Sequence, residues 1–156
     1  MERLLPAAPA TRRGLLQRGL GLGALIVLRP AGGATPPDLD AAIRAFSGGA
    51  SVATGKVQLD VAPLVENGNA VPITVGVESP MTPADHVRSI AVFNERNPQR
   101  DVVVFTLGPR SGRARVATRI RLATSQRLVA VAQLSDGTFW QHGVDVIVTL
   151  AACVES

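Results

Sequence analysis

The residue with the most chemistry to offer is Cys153, the only cysteine in the 156-residue chain. A single thiol has no internal partner, so in an oxidising compartment it pairs between molecules or reacts. Two histidines, His86 and His142, and two methionines complete the set of soft or metal-ligating side chains. A blue-copper centre would need two His and one Cys to converge, with His and Met spaced shortly after the Cys. Only Val154, Glu155 and Ser156 follow Cys153, so the spacing predicts no metal site, and His86 and His142 read as surface or satisfied core histidines. The hydrolase elbow Gly-x-Ser-x-Gly, the His-Glu-x-x-His helix and the phosphate-binding P-loop are all absent.

Three roles remain open for Cys153. It can accept a sulfur group as a mixed disulfide or persulfide, because thiolate sulfur is a good nucleophile. It can finish the last strand as a small buried hydrophobe. It can also act with a histidine as a nucleophile of its own, although a cysteine so near a chain end lacks the fixed geometry that a base-assisted attack requires. A thiol on a short tail is better suited to delivery, with the catalysis supplied by partner enzymes.

The elements that must position this thiol begin after a leader. Arg12-Arg13 precede an apolar run from Leu20 to Leu28 and then the small residues Ala31 to Ala34. This is the charged region, apolar core and cleavage site of an export signal, with the paired arginines of the twin-arginine type. The run is too short to cross a bilayer, which takes about 20 residues. The other reading is a basic amphipathic first helix, which Gly14, Gly19, Gly21 and Gly23 would weaken. Residues 1–34 are therefore set apart as a signal peptide. The expectation is a periplasmic protein with no membrane attachment once the leader is cleaved.

Charge supports that division. Of 16 basic and 12 acidic residues, five arginines (Arg3, Arg12, Arg13, Arg18, Arg29) and Glu2 lie in the leader, leaving eleven of each sign in residues 35–156. A neutral body offers no basic stripe for a polyanion, so nucleic-acid binding is excluded.

In residues 35–50, Asp38 is placed to cap a short helix that carries Leu39, Ile43 and Phe46 on one face and stops at Gly48-Gly49. Residues 51–150 then change to β-branched runs bounded by Gly, Pro, Asn and Asp. Strands are expected near Lys56–Val61, Val71–Glu78, Val87–Asn94, Val102–Leu107, Ala114–Leu122, Leu128–Leu134 and Thr138–Leu150, the last bending at Gly143. Ser135-Asp136-Gly137 should form the turn into that strand, and Asn67-Gly68-Asn69 a turn of positive-φ residues. Seven short strands without βαβ alternation predict an all-β fold, an immunoglobulin-like β-sandwich with a short N-terminal helix. Arg119 and Arg121 fall on one face of the strand at 114–122, either solvated or docking an acidic partner. Residues 151–156 form a C-terminal tail.

Several segments in this order resemble the SoxY family, the sulfur carriers of the Sox thiosulfate-oxidising system. They are Val65-Glu66-Asn67-Gly68-Asn69-Ala70-Val71-Pro72, Val77-Glu78-Ser79-Pro80-Met81, Asn97-Pro98, Thr118-Arg119-Ile120-Arg121-Leu122-Ala123 and Ser135-Asp136-Gly137. The resemblance implies a non-enzymatic carrier without a cofactor, with Cys153 as the covalent attachment site. It also implies a heterodimer with a SoxZ-like subunit and transient visits to SoxXA, SoxB and, in many systems, SoxCD. The tail departs from the family's Gly-Gly-Cys-Gly-Gly: here Ala151-Ala152-Cys153-Val154-Glu155-Ser156 is stiffer, bulkier and more acidic. That departure keeps a second reading open, a SoxY-like binding module that docks partners but carries no sulfur.

Overall fold

The computed structural model describes residues 38–152. The expected signal peptide at 1–34 and the tail from Cys153 onward lie outside the described residues.

Helix α1 (Leu39–Ser47) forms as its sequence dictates. The Asp38 carboxylate accepts from the Ala41 amide at 2.6 Å, satisfying a first-turn donor, and Gly48 ends the helix at φ 62°. Nine strands follow among the described residues: β1 (Val52–Thr54), β2 (Val57–Asp60), β3 (Leu64–Asn67), β4 (Val71–Val77), β5 (Val87–Asn94), β6 (Asp101–Thr106), β7 (Arg115–Ile120), β8 (Gln126–Leu134) and β9 (Phe139–Leu150). A six-stranded sheet has the order β1-β9-β8-β5-β6, with β3 also paired to β9, and a three-stranded sheet has the order β2-β4-β7. The two pack face to face as the expected immunoglobulin-like sandwich with its short N-terminal helix.

Alternation along the strands builds the core. Val71, Ile73 and Val75 of β4 face inward and meet Ile90 and Val92 of β5 and Leu128 of β8. Burying each such side chain contributes about 2 kcal/mol. The outer face of the large sheet is apolar too, because α1 lies on it. Phe46 packs edge-on against Phe93 and Phe139, with ring centroids 5.7 and 6.0 Å apart, and Ile43 joins Val129 and Val131. With both faces covered, β5 and β8 read as nearly unbroken apolar runs.

Four local expectations are corrected. Strands β1 and β3 were not foreseen. They are three and four residues long and pair parallel with the two ends of β9, so they leave no alternation for a sequence to display. Lys56 opens no strand; it sits at φ 51° in the turn before β2. Gly143 makes no bend, since the β8–β9 register is continuous from Gln126↔Val146 to Gln133↔Phe139. The Gly143 Cα instead leaves room for the Arg127 guanidinium, which a Cβ there would meet at 2.7 Å. Finally, none of Asn67, Gly68 and Asn69 has a positive φ. The requirement at Gly68 is a close approach. The turn at Ser135-Asp136-Gly137 forms as expected, with Gly137 at φ 84°.

Candidate functional site

The last strand delivers the chain end to a junction of three backbone segments. The Gly68 amide donates to the Leu150 carbonyl at 2.8 Å, the Leu122 amide to the Gly68 carbonyl at 2.8 Å, and the Ala152 amide to the Leu122 carbonyl at 3.0 Å. A Cβ on Gly68 would lie 2.4 Å from the Leu122 oxygen and 2.9 Å from the Ala152 nitrogen. Only glycine lets the three segments come this close. Ala152 is buried at 6% exposure, so the chain is held through residue 152. Cys153 is the next residue in the sequence.

Side chains brace the junction. Asn67 Oδ1 accepts from the Asn69 amide at 2.9 Å, closing a local turn before β4. Thr149 Oγ1 donates to the Glu66 carbonyl at 3.1 Å, tying β9 to β3. Asn97 is the main strut: its Nδ2 donates to the Arg121 carbonyl at 2.8 Å, and its Oδ1 accepts from the Ala123 amide at 3.0 Å and from Gln126 Nε2 at 2.7 Å. Asn94 holds the Asn97 amide through its Oδ1 at 2.9 Å, and Gln126 Oε1 accepts from the Arg96 amide at 2.9 Å. Asn94 and Gln126 are themselves buried, so leaving their polar atoms unpaired would be costly.

The surface around the junction is partly cationic and partly apolar. Arg119 is exposed at the end of β7, in register with Pro72, and Arg121 is exposed just beyond it. Among the described residues neither is within ion-pair distance of a carboxylate. Leu64 and Ile147 are neighbours across β3 and β9 and are 57% and 59% exposed; Leu150 is 61% exposed. Large apolar side chains this exposed are the usual material of a protein interface.

The other chemistry-bearing residues lie elsewhere. His86 precedes β5, with its backbone tied to Ser135, and its buried Nδ1 has no partner. His142 is on β9, and its Nδ1 accepts from the Leu59 amide at 3.0 Å. Among the described residues no group of three His, Cys, Asp or Glu is gathered to hold a metal. Sequence reasoning did not foresee the parts of Gly68, Leu122, Asn97 and Ala152 in holding the chain end. A signal existed: three of the five segments that carry the family resemblance, around Asn67-Gly68-Asn69, Asn97 and 118–123, meet at this junction.

Comparison with known proteins gives the same direction. The family model described as sulfur oxidation protein SoxY matches residues 43–153. No curated protein matches the chain by sequence. Among solved structures, the sulfur carrier protein SoxY from Chlorobium limicola f thiosulfatophilum is similar at 29% identity, with a TM-score of 0.59, covering 70% of this chain and 90% of that one. A superoxide reductase (neelaredoxin) from Ignicoccus hospitalis aligns at 16% identity and a TM-score of 0.55, covering 61% of this chain and 81% of that one. The superoxide reductase from Nanoarchaeum equitans aligns at 11% and 0.52, covering 62% and 100%. At such identities these two show the shared sandwich alone.

Proposed function

The chain belongs to the SoxY family of sulfur oxidation proteins, and from that premise we propose that it carries sulfur intermediates covalently on Cys153 and presents them to partner enzymes. The observation that carries the reading is the junction at Gly68, Leu122 and Ala152. It fixes the chain up to Ala152, the residue before the thiol, and Arg119, Arg121 and the exposed apolar side chains of β3 and β9 lie on the surface around that anchor, which supports presentation of the thiol to partners.

Loading is an oxidation. The Cys153 thiol and the sulfane sulfur of thiosulfate form a disulfide-type S–S bond, releasing one proton and two electrons to a haem oxidant of the SoxXA kind. Hydrolysis by a SoxB-type partner then cleaves the terminal S–S bond, with water supplying the oxygen that leaves in sulfate and a persulfide remaining on Cys153. A SoxCD-type partner oxidises that persulfide where one is present. The protein contributes no acid, base or metal to these steps; it contributes the nucleophile and its placement. The twin-arginine leader puts this cycle in the periplasm, and a SoxZ-like subunit is the expected stable partner.

The test is to incubate the exported protein with thiosulfate and the haem oxidant and to measure its intact mass. A reductant-sensitive adduct that is lost in Cys153→Ser is the expected result. An unmodified mass with an accessible thiol would overturn it.

One observation favours the second reading, a partner-binding module without cargo. Ala152 is buried and bonded where the family has glycine, which shortens the reach of the tail. On that reading Cys153→Ser retains both partner association and thiosulfate oxidation in the cell. Loss of oxidation in that variant would sink it.

A further inference from the structure

At the opposite end of β4 from the Gly68 junction, a groove of about 630 Å3 opens beside the ends of β2, β4 and β7. Strand β4 spans the distance, from Val71 near the chain-end junction to Val77 in the groove wall, about 20 Å at the rise of a β-strand. Lys56, Arg113 and Arg115 line the groove against one carboxylate, Glu78. Among the described residues none of these four is within ion-pair distance of an opposite charge. Asp60 lies on the outer side of Arg115, lining a small adjoining recess with it, and Asp136 feels the charge of Lys56 from the neighbouring turn.

Lys56, His142 and Ser79 have defined settings at the groove. Lys56 has its backbone at φ 51° and its ammonium 4.8 Å from the centre of the Trp140 ring. The Lys56 carbonyl accepts from the Glu78 amide at 2.8 Å, fastening this turn to the end of β4. His142 uses Nδ1 to accept from the Leu59 amide, so its ring proton is on Nε2, a donor with no protein partner among the described residues, in a residue that lines the groove. Ser79 accepts from the Met81 amide at 3.2 Å, which leaves its hydroxyl proton free to donate.

We propose that this groove is a binding site for a multi-oxygen anion, with sulfate and thiosulfate as the ligand class, held by the Arg113 and Arg115 guanidinium groups, the Lys56 ammonium and the His142 Nε2–H. Guanidinium groups pair with oxyanions through two parallel hydrogen bonds, and an ammonium and an imidazole N–H supply further donors. A multi-oxygen anion spreads its acceptors over several atoms, which suits donors carried by different residues. None of these donors is the thiol, so the site can be tested without it.

The experiment titrates Cys153→Ser protein, in which no cargo can load, with sodium thiosulfate or sulfate at constant ionic strength made up with chloride, and follows amide and imidazole NMR signals. Failure here is therefore distinct from failure of sulfur carriage. The expected result is saturable shifts of His142 Nε2–H and of the Lys56 and Gly112–Arg115 amides, with a Kd on the order of 1 mM or below. Arg113→Glu with Arg115→Glu should weaken binding at least tenfold, and Arg119→Glu with Arg121→Glu should leave it unchanged. Gly76→Asp supplies a second block, because a Cβ there meets nothing within 4 Å and the added carboxylate enters the groove without disturbing the fold. Non-saturating shifts, equal shifts with chloride alone, or binding that survives both Gly76→Asp and the charge reversal would overturn the proposal.

Discussion

The amide of Ala152 is bonded to the carbonyl of Leu122 at 3.0 Å, and Gly68 lies against both atoms with no space for a side chain. The obstruction at Gly68 is backbone on both sides, which cannot swing away. Gly68→Ala should therefore destabilise the domain by about 2 kcal/mol, in the range of overpacking in a tight interior. Urea unfolding measures this. Hydrogen exchange at the Ala152 amide should rise more than exchange in β5 or β8, because the junction opens before the core does.

Gly143→Ala looks similar in sequence and should behave differently. Its added Cβ meets the Arg127 guanidinium at 2.7 Å, the far end of a flexible side chain on the sheet surface. The arginine moves and gives up its 3.3 Å pair with Asp145, an exposed contact worth under about 1 kcal/mol. A loss in urea unfolding as large as that of Gly68→Ala would contradict this account.

Asn97→Ala removes a donor to the Arg121 carbonyl and an acceptor for Ala123 and Gln126 at once. Gln126 is 5% exposed and loses the partner of its Nε2 at 2.7 Å, retaining only the Thr124 carbonyl at 3.1 Å. A cost of about 2 kcal/mol is expected, read in thermal or urea unfolding. On the proposed carrier role, slower loading of Cys153 should accompany it, because the segment that anchors Ala152 loosens.

Arg119→Glu with Arg121→Glu changes two exposed guanidinium groups that make no ion pair among the described residues, so stability should move by less than about 0.5 kcal/mol. Association with an acidic partner should slow about tenfold at low salt, and the difference should shrink as salt is raised. Stopped-flow binding to the loading partner at two ionic strengths checks this. An unchanged rate at low salt would leave the two arginines as ordinary solvated side chains.

The Asp136 carboxyl is held below its usual value, first by the Thr138 amide that donates to it at 2.9 Å, then by the Thr138 hydroxyl at 2.7 Å, with Lys56 adding a smaller pull. A carboxyl whose folded pKa is depressed stabilises the fold above its unfolded value of about 3.9, and that contribution is lost as pH falls through the lower folded value. Thr138→Val removes the hydroxyl donor and should raise the Asp136 pKa toward normal. An NMR titration of the Asp136 carboxyl carbon checks it, and an unmoved pKa would assign the depression to the backbone amide alone.

Much of this protein was legible in its sequence because the deciding forces are local. The Asp38 cap, the Leu39, Ile43 and Phe46 stripe, the Gly48 stop and the Asp136-Gly137 turn are each settled within a few residues by hydrogen bonding and backbone freedom. Alternation such as that in 117–122 then selects a sandwich, since a half-buried strand leaves that pattern and a helix does not. The single thiol and the ordered family segments pointed to sulfur chemistry before any fold was known. What only the tertiary structure decided involves contacts between distant segments. Strands β1 and β3 exist because β9 offers free backbone edges to pair with. Gly68 is glycine because Leu122 and Ala152, 54 and 84 positions away, press against it. The hold on Ala152 follows from that same junction: the lone thiol is written in one residue, but the anchoring of the residue before it is set by backbone hydrogen bonds among three segments that meet only when the two sheets close on each other.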